Sequence, residues 1–142
     1  MKQYASSARI QATPEAVWAI LTDSAGYGRW NPEISRVDGR IALGEKIKAH
    51  VVLHGGKVQP VTVRVTELDP GRQMVWTGGM PLGLFTGRRT FGIRPCEGGA
   101  TEFTMQVHFS GLLSSLIAKS LGDRQPDIDA LVAGLKKWAE RQ

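Results

Sequence analysis

Apolar and polar residues alternate along most of the middle of the chain, and this alternation predicts a series of antiparallel strands. It begins near residue 34 and is clear over residues 44–56, 58–71, 72–78, 86–95 and 101–109. In the last of these segments Phe103, Met105, Val107 and Phe109 share one face, while Thr104, Gln106 and His108 share the other. Since each strand is apolar on one face only, we expect a sheet with one covered face.

The segment before this meander predicts a strand followed by short helices. Residues 4–12 are expected to form the first strand. A helix should follow, with Thr13 as its N-cap and Pro14 in its first position. It should end near Asp23, and residues 25–30 predict a second, shorter helix.

The end of the chain has helical spacing. Leucines and isoleucines recur from Leu112 to Leu121, the sequence GDRQPD interrupts them, and Pro126 should kink or restart the helix. A second apolar stripe then runs from Ile128 to Trp138. Because no other predicted helix is long enough to cover the meander, the sequence indicates an α+β fold. A curved sheet would wrap around a long C-terminal helix, in one domain spanning residues 1–142.

Composition and charge narrow the functional classes. With 142 residues, 42% of them apolar and 22% charged, the chain suits one folded core. The formal charge of +5 is spread along the sequence and is compatible with weak attraction to anions. Its densest basic pairs, Arg88–Arg89 and Lys136–Lys137, are too short for a nucleic-acid-binding patch. We therefore expect no nucleic-acid partner.

No feature of an exported or membrane-inserted protein is visible. The first residues lack the apolar run of a secretory signal, and no stretch approaches the roughly 18 apolar residues of a membrane span. The single cysteine, Cys96, excludes a disulfide within the chain. These observations predict a cytoplasmic protein without stable membrane insertion.

The residues that most often carry chemistry do not form a familiar site. His50 and His54 are four residues apart on one strand, hence about 13 Å apart, and zinc ligands lie about 2 Å from the metal. Cys96 lies in a turn with no base beside it. We therefore expect no metal, no cofactor and no catalytic residue. The alternation places almost no titratable side chain on the inner face, although Tyr27, Thr77 and Arg89 stay open as polar contacts.

Several of these segments together resemble a known superfamily. The first strand, TPEAVWAILTDSAGYGRWNPEI, the meander, and GGATEFTMQVHFSGLLSSLIAKSL with the final helix are similar to START-like, or Bet v 1-like, proteins, also called SRPBCC or polyketide cyclase/dehydrase proteins. The resemblance covers nearly the whole chain. It implies a helix-grip fold, in which a seven-stranded antiparallel sheet curls around the C-terminal helix. It also implies a cavity for a lipid, polyketide or other aromatic molecule between sheet and helix.

The inner stripes and two irregular segments supply the candidate ligand contacts. In YGRWNPEI, Trp30 and Pro32 are expected at the mouth of the cavity, with Trp30 as a lid or, alternatively, a core plug. In GGMPLGLF, apolar residues occupy a Gly- and Pro-rich loop and either cap a core or line an entrance. The full set of expected contacts is Trp30, Pro32, Val51, Val63, Met80, Leu82, Phe85, Phe91, Met105, Phe109, Leu113, Ile117 and Leu131.

Three functions follow as hypotheses. The first is non-catalytic binding or transport of a small hydrophobic or aromatic molecule, favoured because few inward residues can titrate. The second is a cyclase/dehydrase-type enzyme, which the resemblance implies and for which the sequence offers no clear base. The third is a protein-interaction module similar to chaperone co-activators. The oligomeric state stays open, a homodimer included.

Overall fold

The strands of the computed structural model form one curved antiparallel sheet whose inner face is apolar. The structure describes residues 2–141, and the side chain of His54 lies outside that description. The strands are β1 (Lys2–Ile10), β2 (Ile34–Asp38), β3 (Lys46–Val52), β4 (Val58–Asp69), β5 (Gln73–Met80), β6 (Phe85–Pro95) and β7 (Thr101–Ser110). Their order in the sheet is β1-β7-β6-β5-β4-β3-β2, and every neighbouring pair is antiparallel.

Four helices complete the fold: α1 (Pro14–Thr22), α2 (Tyr27–Trp30), α3 (Ser114–Leu121) and α4 (Gln125–Glu140). Thr13 caps α1 as predicted, because its hydroxyl oxygen accepts a hydrogen bond from the amide of Ala16 at 3.2 Å. A single 3-10 turn, residues 24–26, joins α1 to α2. α4 covers the sheet with a buried stripe made of Ile128, Leu131, Val132, Leu135 and Ala139.

The predicted fold class is confirmed: a seven-stranded sheet is curled against a long C-terminal helix. The predicted interruption between the last two helices is also present. α3 ends at Gly122, whose φ of 75° suits glycine, and Pro126 lies in the first turn of α4. Among the described residues, no helix is long and apolar enough to cross a membrane.

Two boundaries differ from the sequence prediction. The expected first strand over residues 4–12 lies two residues earlier, at Lys2–Ile10. Half of the expected loop GGMPLGLF is strand, because Gly78–Met80 end β5 and Phe85 begins β6, which leaves a turn of residues 81–84. Gly78 and Gly79 concealed the end of β5, because glycine has a low strand propensity. In the structure both pack closely on neighbouring strands, Gly78 on β4 and Gly79 on β6.

Candidate functional site

A cavity of about 220 Å³ lies between the concave face of the sheet and the helices α3 and α4. Its wall is mostly apolar, with three charged residues whose side chains are largely buried: Glu33, Arg89 and Arg124. The apolar part consists mainly of Ile34, Ala49, Val51, Leu53, Val61, Val63, Trp76, Phe85, Val107, Phe109, Leu121 and Ile128. The cavity therefore combines a mostly apolar wall with one buried charged cluster, and the half-exposed Arg88 also lies at the wall.

The strand register shows where the cavity ends inside the sheet. One row of paired residues, Trp76–Arg89–Val107, belongs to the cavity wall. The next row toward the turn at residues 81–84 is Gly78–Gly87–Phe109, and it also lines the cavity. The row on the other side, Met74–Phe91–Met105, is fully buried and does not line it. The cavity therefore occupies one half of the sheet, and Arg89 lies at its inner end.

Glycines leave the space that the cavity occupies. Gly87 lies on the inward face of β6, where a Cβ atom would be 3.5 Å from the ring of Phe109 and 3.8 Å from that of Phe85, in ordinary contact. Gly78 on the neighbouring strand is different, because a Cβ there would lie 2.8 Å from the carbonyl oxygen of Thr62 and from Val63. Gly78 thus permits the close approach of β5 to β4, whereas Gly87 leaves part of the cavity open.

The charged cluster is held by three hydrogen bonds to one carboxylate. Arg89 donates from both terminal nitrogens to Glu33, at 2.6 Å to Oε1 and 2.9 Å to Oε2, in a bidentate pair. Arg124 donates to Glu33 Oε2 at 3.2 Å. The side chains of Glu33, Arg89 and Arg124 are 1%, 16% and 6% exposed. The Nη1 atom of Arg124 also lies 3.1 Å from Asp127 Oδ2, but these two atoms are not aligned for a hydrogen bond. Asp127 does not line the cavity.

The segment YGRWNPEI brings Glu33 to this position. Asn31 is buried, and its side-chain oxygen accepts hydrogen bonds from the amides of Glu33 and Ile34 at 2.9 and 3.0 Å. This turn follows α2 and directs the side chain of Glu33 toward the cavity. Gly28 permits α2 to approach β2 closely, since a Cβ at Gly28 would lie 2.5 Å from the carbonyl oxygen of Ser35.

The aromatic residues of the same segment form part of the core. Tyr27 is fully buried and its hydroxyl donates to the carbonyl of Leu21 at 2.5 Å. Its ring centroid lies 5.0 Å from that of Trp30 and 5.8 Å from that of Trp76. Burial raises the pKa of the Tyr27 phenol, although the nearby Arg89 opposes this shift. The phenol is therefore protonated, and it is already used as a structural donor.

The electrostatics of the cluster fix its charge state. Burial favours the neutral form of Glu33, but the charges and hydrogen bonds of Arg89 and Arg124 outweigh burial, so that its pKa is lowered. Burial likewise disfavours the charged form of Arg89, and Glu33 outweighs it, so that its pKa is raised. One carboxylate thus faces two guanidinium groups at the wall. Neither Glu33 nor Arg89 is poised to exchange a proton near neutral pH, which acid–base catalysis requires.

The lowered pKa of Glu33 predicts a defined loss of stability in acid. A carboxyl group whose pKa is lower in the folded state contributes stability above its unfolded value, here 4.5, and loses it as the pH falls through the folded pKa. We expect the unfolding free energy of Glu33→Gln to depend less steeply on pH below this value than that of the unchanged protein. The difference is at most about 1.4 kcal/mol per pH unit. Urea unfolding across a pH series measures it, and parallel acid limbs would contradict the prediction.

The expected ligand contacts fall into four groups in the structure. Val51, Val63, Phe85 and Phe109 line the cavity. The others do not: Trp30, Phe91, Met105 and Leu131 are buried, Leu113 and Ile117 are half-buried, and Pro32, Met80 and Leu82 are exposed. The lid position expected for Trp30 is wrong, because its indole is packed in the core beside Tyr27. Phe91 and Met105 were expected at the wall because alternation gives the face of a residue and not its depth along the strand.

The expectation of an almost uncharged inner face is also wrong, since Glu33, Arg89 and Arg124 line the cavity. For two of them, the sequence contained an indication that the side chain faces inward. Arg89 shares the parity of Phe91 and Ile93 on β6, and Arg124 lies four residues before Ile128 on the buried stripe of α4. For Glu33 the sequence contained no such indication, because the turn that directs it inward is set by Asn31.

The described part of the chain holds no group of three or more His, Cys, Asp or Glu side chains placed to bind a metal ion. His50 lies on β3, next to the edge strand β2, with its Nε2 atom 2.8 Å from Asp38 Oδ2. Cys96 follows β6, half-buried and without a disulfide. Neither His50 nor Cys96 lines the cavity.

Comparisons with solved structures support the fold. The Zhui aromatase/cyclase from Streptomyces sp. R1128 superposes with a TM-score of 0.78 at 16% identity, covering 99% of this chain and 94% of that one. A protein from Mesorhizobium loti gives 0.75 at 18% identity, with 99% and 98% covered. A START superfamily protein from Mycobacterium smegmatis gives 0.71 at 16% identity, with 98% and 97% covered. At these identities the likeness shows the fold alone.

The sequence comparisons identify the family. A search of curated proteins finds no significant match to this chain. The profile of the family described as "Polyketide cyclase / dehydrase and lipid transport" matches residues 1–140, which is nearly the whole length. This agrees with the curled sheet, the covering C-terminal helix and the apolar cavity between them. The chain therefore belongs to the polyketide cyclase/dehydrase and lipid transport family.

Proposed function

We propose that this protein binds a small, mostly apolar and aromatic molecule that carries an acidic or carbonyl oxygen at one end. The observation that supports this most directly is the cavity itself, which is apolar along most of its wall and carries the buried Glu33–Arg89–Arg124 cluster, with the half-exposed Arg88 also at the wall. The apolar body of a ligand would lie against Val63, Phe109 and their neighbours. Its oxygen would face the guanidinium groups of Arg89 and Arg124, which share the carboxylate of Glu33 at the wall, while Asp127 pairs with Arg124 from outside the wall.

The size of the cavity limits the ligand. A cavity of about 150 Å³ lined by aliphatic and aromatic side chains takes benzene, so about 220 Å³ is suited to one or two rings. Burying on the order of 200 Å² of aromatic surface at ~25 cal/mol per Å² contributes about 5 kcal/mol before the cost of association. Even without that cost, 5 kcal/mol corresponds to a Kd of about 0.2 mM, so tighter binding requires a contribution from the charged cluster.

Binding without catalysis is favoured over acid–base chemistry by the charge states of the wall. Glu33 is held ionised between two arginines, and Arg89 is held protonated. A cyclase or dehydrase reaction remains the second candidate, supported by the same two arginines, because fixed positive charge stabilises an enolate oxygen. In that case the arginines would act electrostatically, and the proton would have to be transferred by a group of the substrate or by water.

Calorimetric titration with a matched pair of probes tests the proposed ligand class. We expect 2-naphthoate to bind at least tenfold more tightly than 2-methylnaphthalene, since only the first places an anionic oxygen near Arg89 and Arg124. Gly87→Leu should abolish binding of both probes, because its side chain would enter the cavity between Phe85 and Phe109. Equal affinity for the two probes would contradict the role of the cluster.

The control is the same substitution on the other face of the strand. Gly92 lies on β6 opposite Thr104, where a Cβ would be 3.8 Å from the nearest atom and outside the cavity wall. Gly92→Leu should therefore bind both probes like the unchanged protein. If Gly87→Leu and Gly92→Leu were indistinguishable, the probes would be bound elsewhere and the cavity would not be the site.

A further inference from the structure

Four large apolar side chains are exposed near the open end of the cavity. Leu82, Leu112, Leu116 and Met80 are 92%, 84%, 66% and 43% exposed, and we refer to these four as the apolar rim. Single exposed leucines are common in proteins, but a contiguous exposed group marks a contact surface.

The rim is built by a specific junction of two segments. The turn at residues 81–84 accepts hydrogen bonds from the strand-to-helix connection, from the Leu112 amide to the Gly83 carbonyl at 3.2 Å and from the Leu113 amide to the Leu84 carbonyl at 2.7 Å. Gly111 permits this approach, since a Cβ there would lie 2.7–2.8 Å from the same two carbonyl oxygens. The turn that carries Leu82 is therefore joined to the segment that carries Leu112, and Leu116 follows in the first turn of α3.

The conformation of Leu82 is unusual for an exposed leucine. Its φ is 62°, and it is the only residue other than glycine with a positive φ in the described part of the chain. A branched side chain in this region is strained relative to glycine or asparagine. Because the side chain is almost fully exposed, packing within the protein does not offset this strain.

The rim is continuous with the cavity. Met80 pairs with Phe85 at the base of the turn, and Phe85 lines the cavity. On the other side, α3 carries Leu116 outward and contributes Leu121 to the cavity wall. A molecule that leaves the cavity at this end would thus pass directly onto the rim.

Unpaired positive charge surrounds the same end of the sheet. Lys2 pairs with Phe109 at the end of β7, Lys57 accepts a hydrogen bond at its carbonyl from the amide of Leu53, and Lys119 lies on α3. All three are exposed, and none forms an ion pair with another described residue. Lys2 and Lys119 share a surface depression in which Asp123 is the only acidic side chain.

We propose that the apolar rim and these three lysines dock this end of the protein onto an anionic lipid surface. Leucine side chains bury in the boundary between headgroups and acyl chains, and lysines around them are attracted to anionic headgroups. This contact is peripheral, and it places the open end of the cavity against the lipid. It is independent of which molecule the cavity binds.

Co-sedimentation with vesicles tests the docking without any cavity ligand. We expect the protein to bind phosphatidylcholine vesicles that contain phosphatidylglycerol, to bind pure phosphatidylcholine at least tenfold more weakly, and to lose binding as salt is added. The triple variant Leu82→Ser, Leu112→Ser, Leu116→Ser should bind the anionic vesicles at least tenfold more weakly. Leu43→Ser is the control, because Leu43 is 62% exposed in the connection between β2 and β3, at the opposite end of the sheet.

A second pair of variants isolates the charge. Lys57→Gln with Lys119→Gln should weaken binding to anionic vesicles several-fold, while Lys137→Gln near the far end of α4 should not. Absence of vesicle binding, or an equal loss in Leu43→Ser and the rim variant, would overturn the proposal. So would a concentration-dependent dimer in solution that only the rim variant loses, because the occupant of the rim would then be a second copy of the chain. Naphthoate titration of the rim variant stays unchanged if the cavity proposal holds.

Discussion

Replacement of Glu33 by glutamine is expected to lower the free energy of unfolding by about 3–5 kcal/mol. Glutamine has nearly the same shape, but it removes the carboxylate that pairs with both Arg89 and Arg124, and among the described residues only Arg124 keeps a second partner, Asp127 at 3.1 Å; both arginine side chains are largely buried. A buried guanidinium without a counter-ion cannot neutralise by releasing a proton, since arginine stays protonated. Urea unfolding followed by tryptophan fluorescence measures the change.

An exposed ion pair next to the cluster provides the matched control. Arg88, adjacent to Arg89 on β6, points to the other face and donates to Glu67 at 3.2 Å. Both side chains of this pair are about half exposed. Glu67→Gln should therefore change the unfolding free energy by less than about 1 kcal/mol. A similar, small loss in both variants would show that water reaches Glu33 and would contradict the closed cluster.

A further variant separates two quantities: the net contribution of the cluster to the free energy of unfolding, and the destabilisation caused by leaving its arginines without Glu33. Replacing Glu33, Arg89 and Arg124 together by methionine or leucine removes every buried charge of the wall. Since buried ion pairs offset their own desolvation poorly, this triple variant should recover much of the stability that Glu33→Gln loses. It should also lose the preference for naphthoate over 2-methylnaphthalene. If the triple variant regained stability but still lacked the preference for naphthoate, the role of the cluster would be ligand recognition and not stability.

The periodic parts of the fold could be predicted from the sequence because their cause is local. Alternation over residues 101–109 and 86–95 reports which face of a strand is buried, and the structure places those faces inward. The break between α3 and α4 follows from Gly122 and Pro126, whose backbone preferences act whatever the rest of the chain does.

The charged cluster could not be predicted because its cause is not local. Arg89 and Arg124 reach Glu33 across sequence separations of 56 and 91 residues, and a sequence pattern does not show that three such residues meet. Alternation did place Arg89 on the inner face, together with Phe91. Arg89 therefore stayed open as a polar contact, but no pattern indicated Glu33, the inward carboxylate that an inward arginine requires.

The role of YGRWNPEI was undecided for a related reason. A Tyr, a Trp and a Pro close to two glycines suit a lid as well as a plug, and the segment itself does not distinguish them. The decision is made by α4, which packs so closely on this segment that Gly134 lies against the carbonyl of Trp30 and 3.1 Å separates a Cβ there from Pro32 Cδ. The two aromatic rings thereby lie in the core, whereas Pro32 stays exposed.

Gly134→Ala should therefore destabilise the protein by about 1–3 kcal/mol, opposite in sign to the usual effect in a helix. Alanine at an unhindered helix position stabilises by about 1 kcal/mol relative to glycine. Here its Cβ would overlap the backbone carbonyl of Trp30, which a rotamer change cannot relieve. Thermal and urea unfolding measure the change.

The neighbouring residue shows whether helix propensity behaves normally in α4. Ala133 is exposed on the same helix, so Ala133→Gly should cost about 1 kcal/mol, as propensity predicts. Adjacent positions of one helix would then prefer opposite residues, and the cause would be the packing of α2 and its following turn against α4. If Gly134→Ala raised the stability instead, α4 would be free to move away from Trp30, and the segment could open as a lid after all.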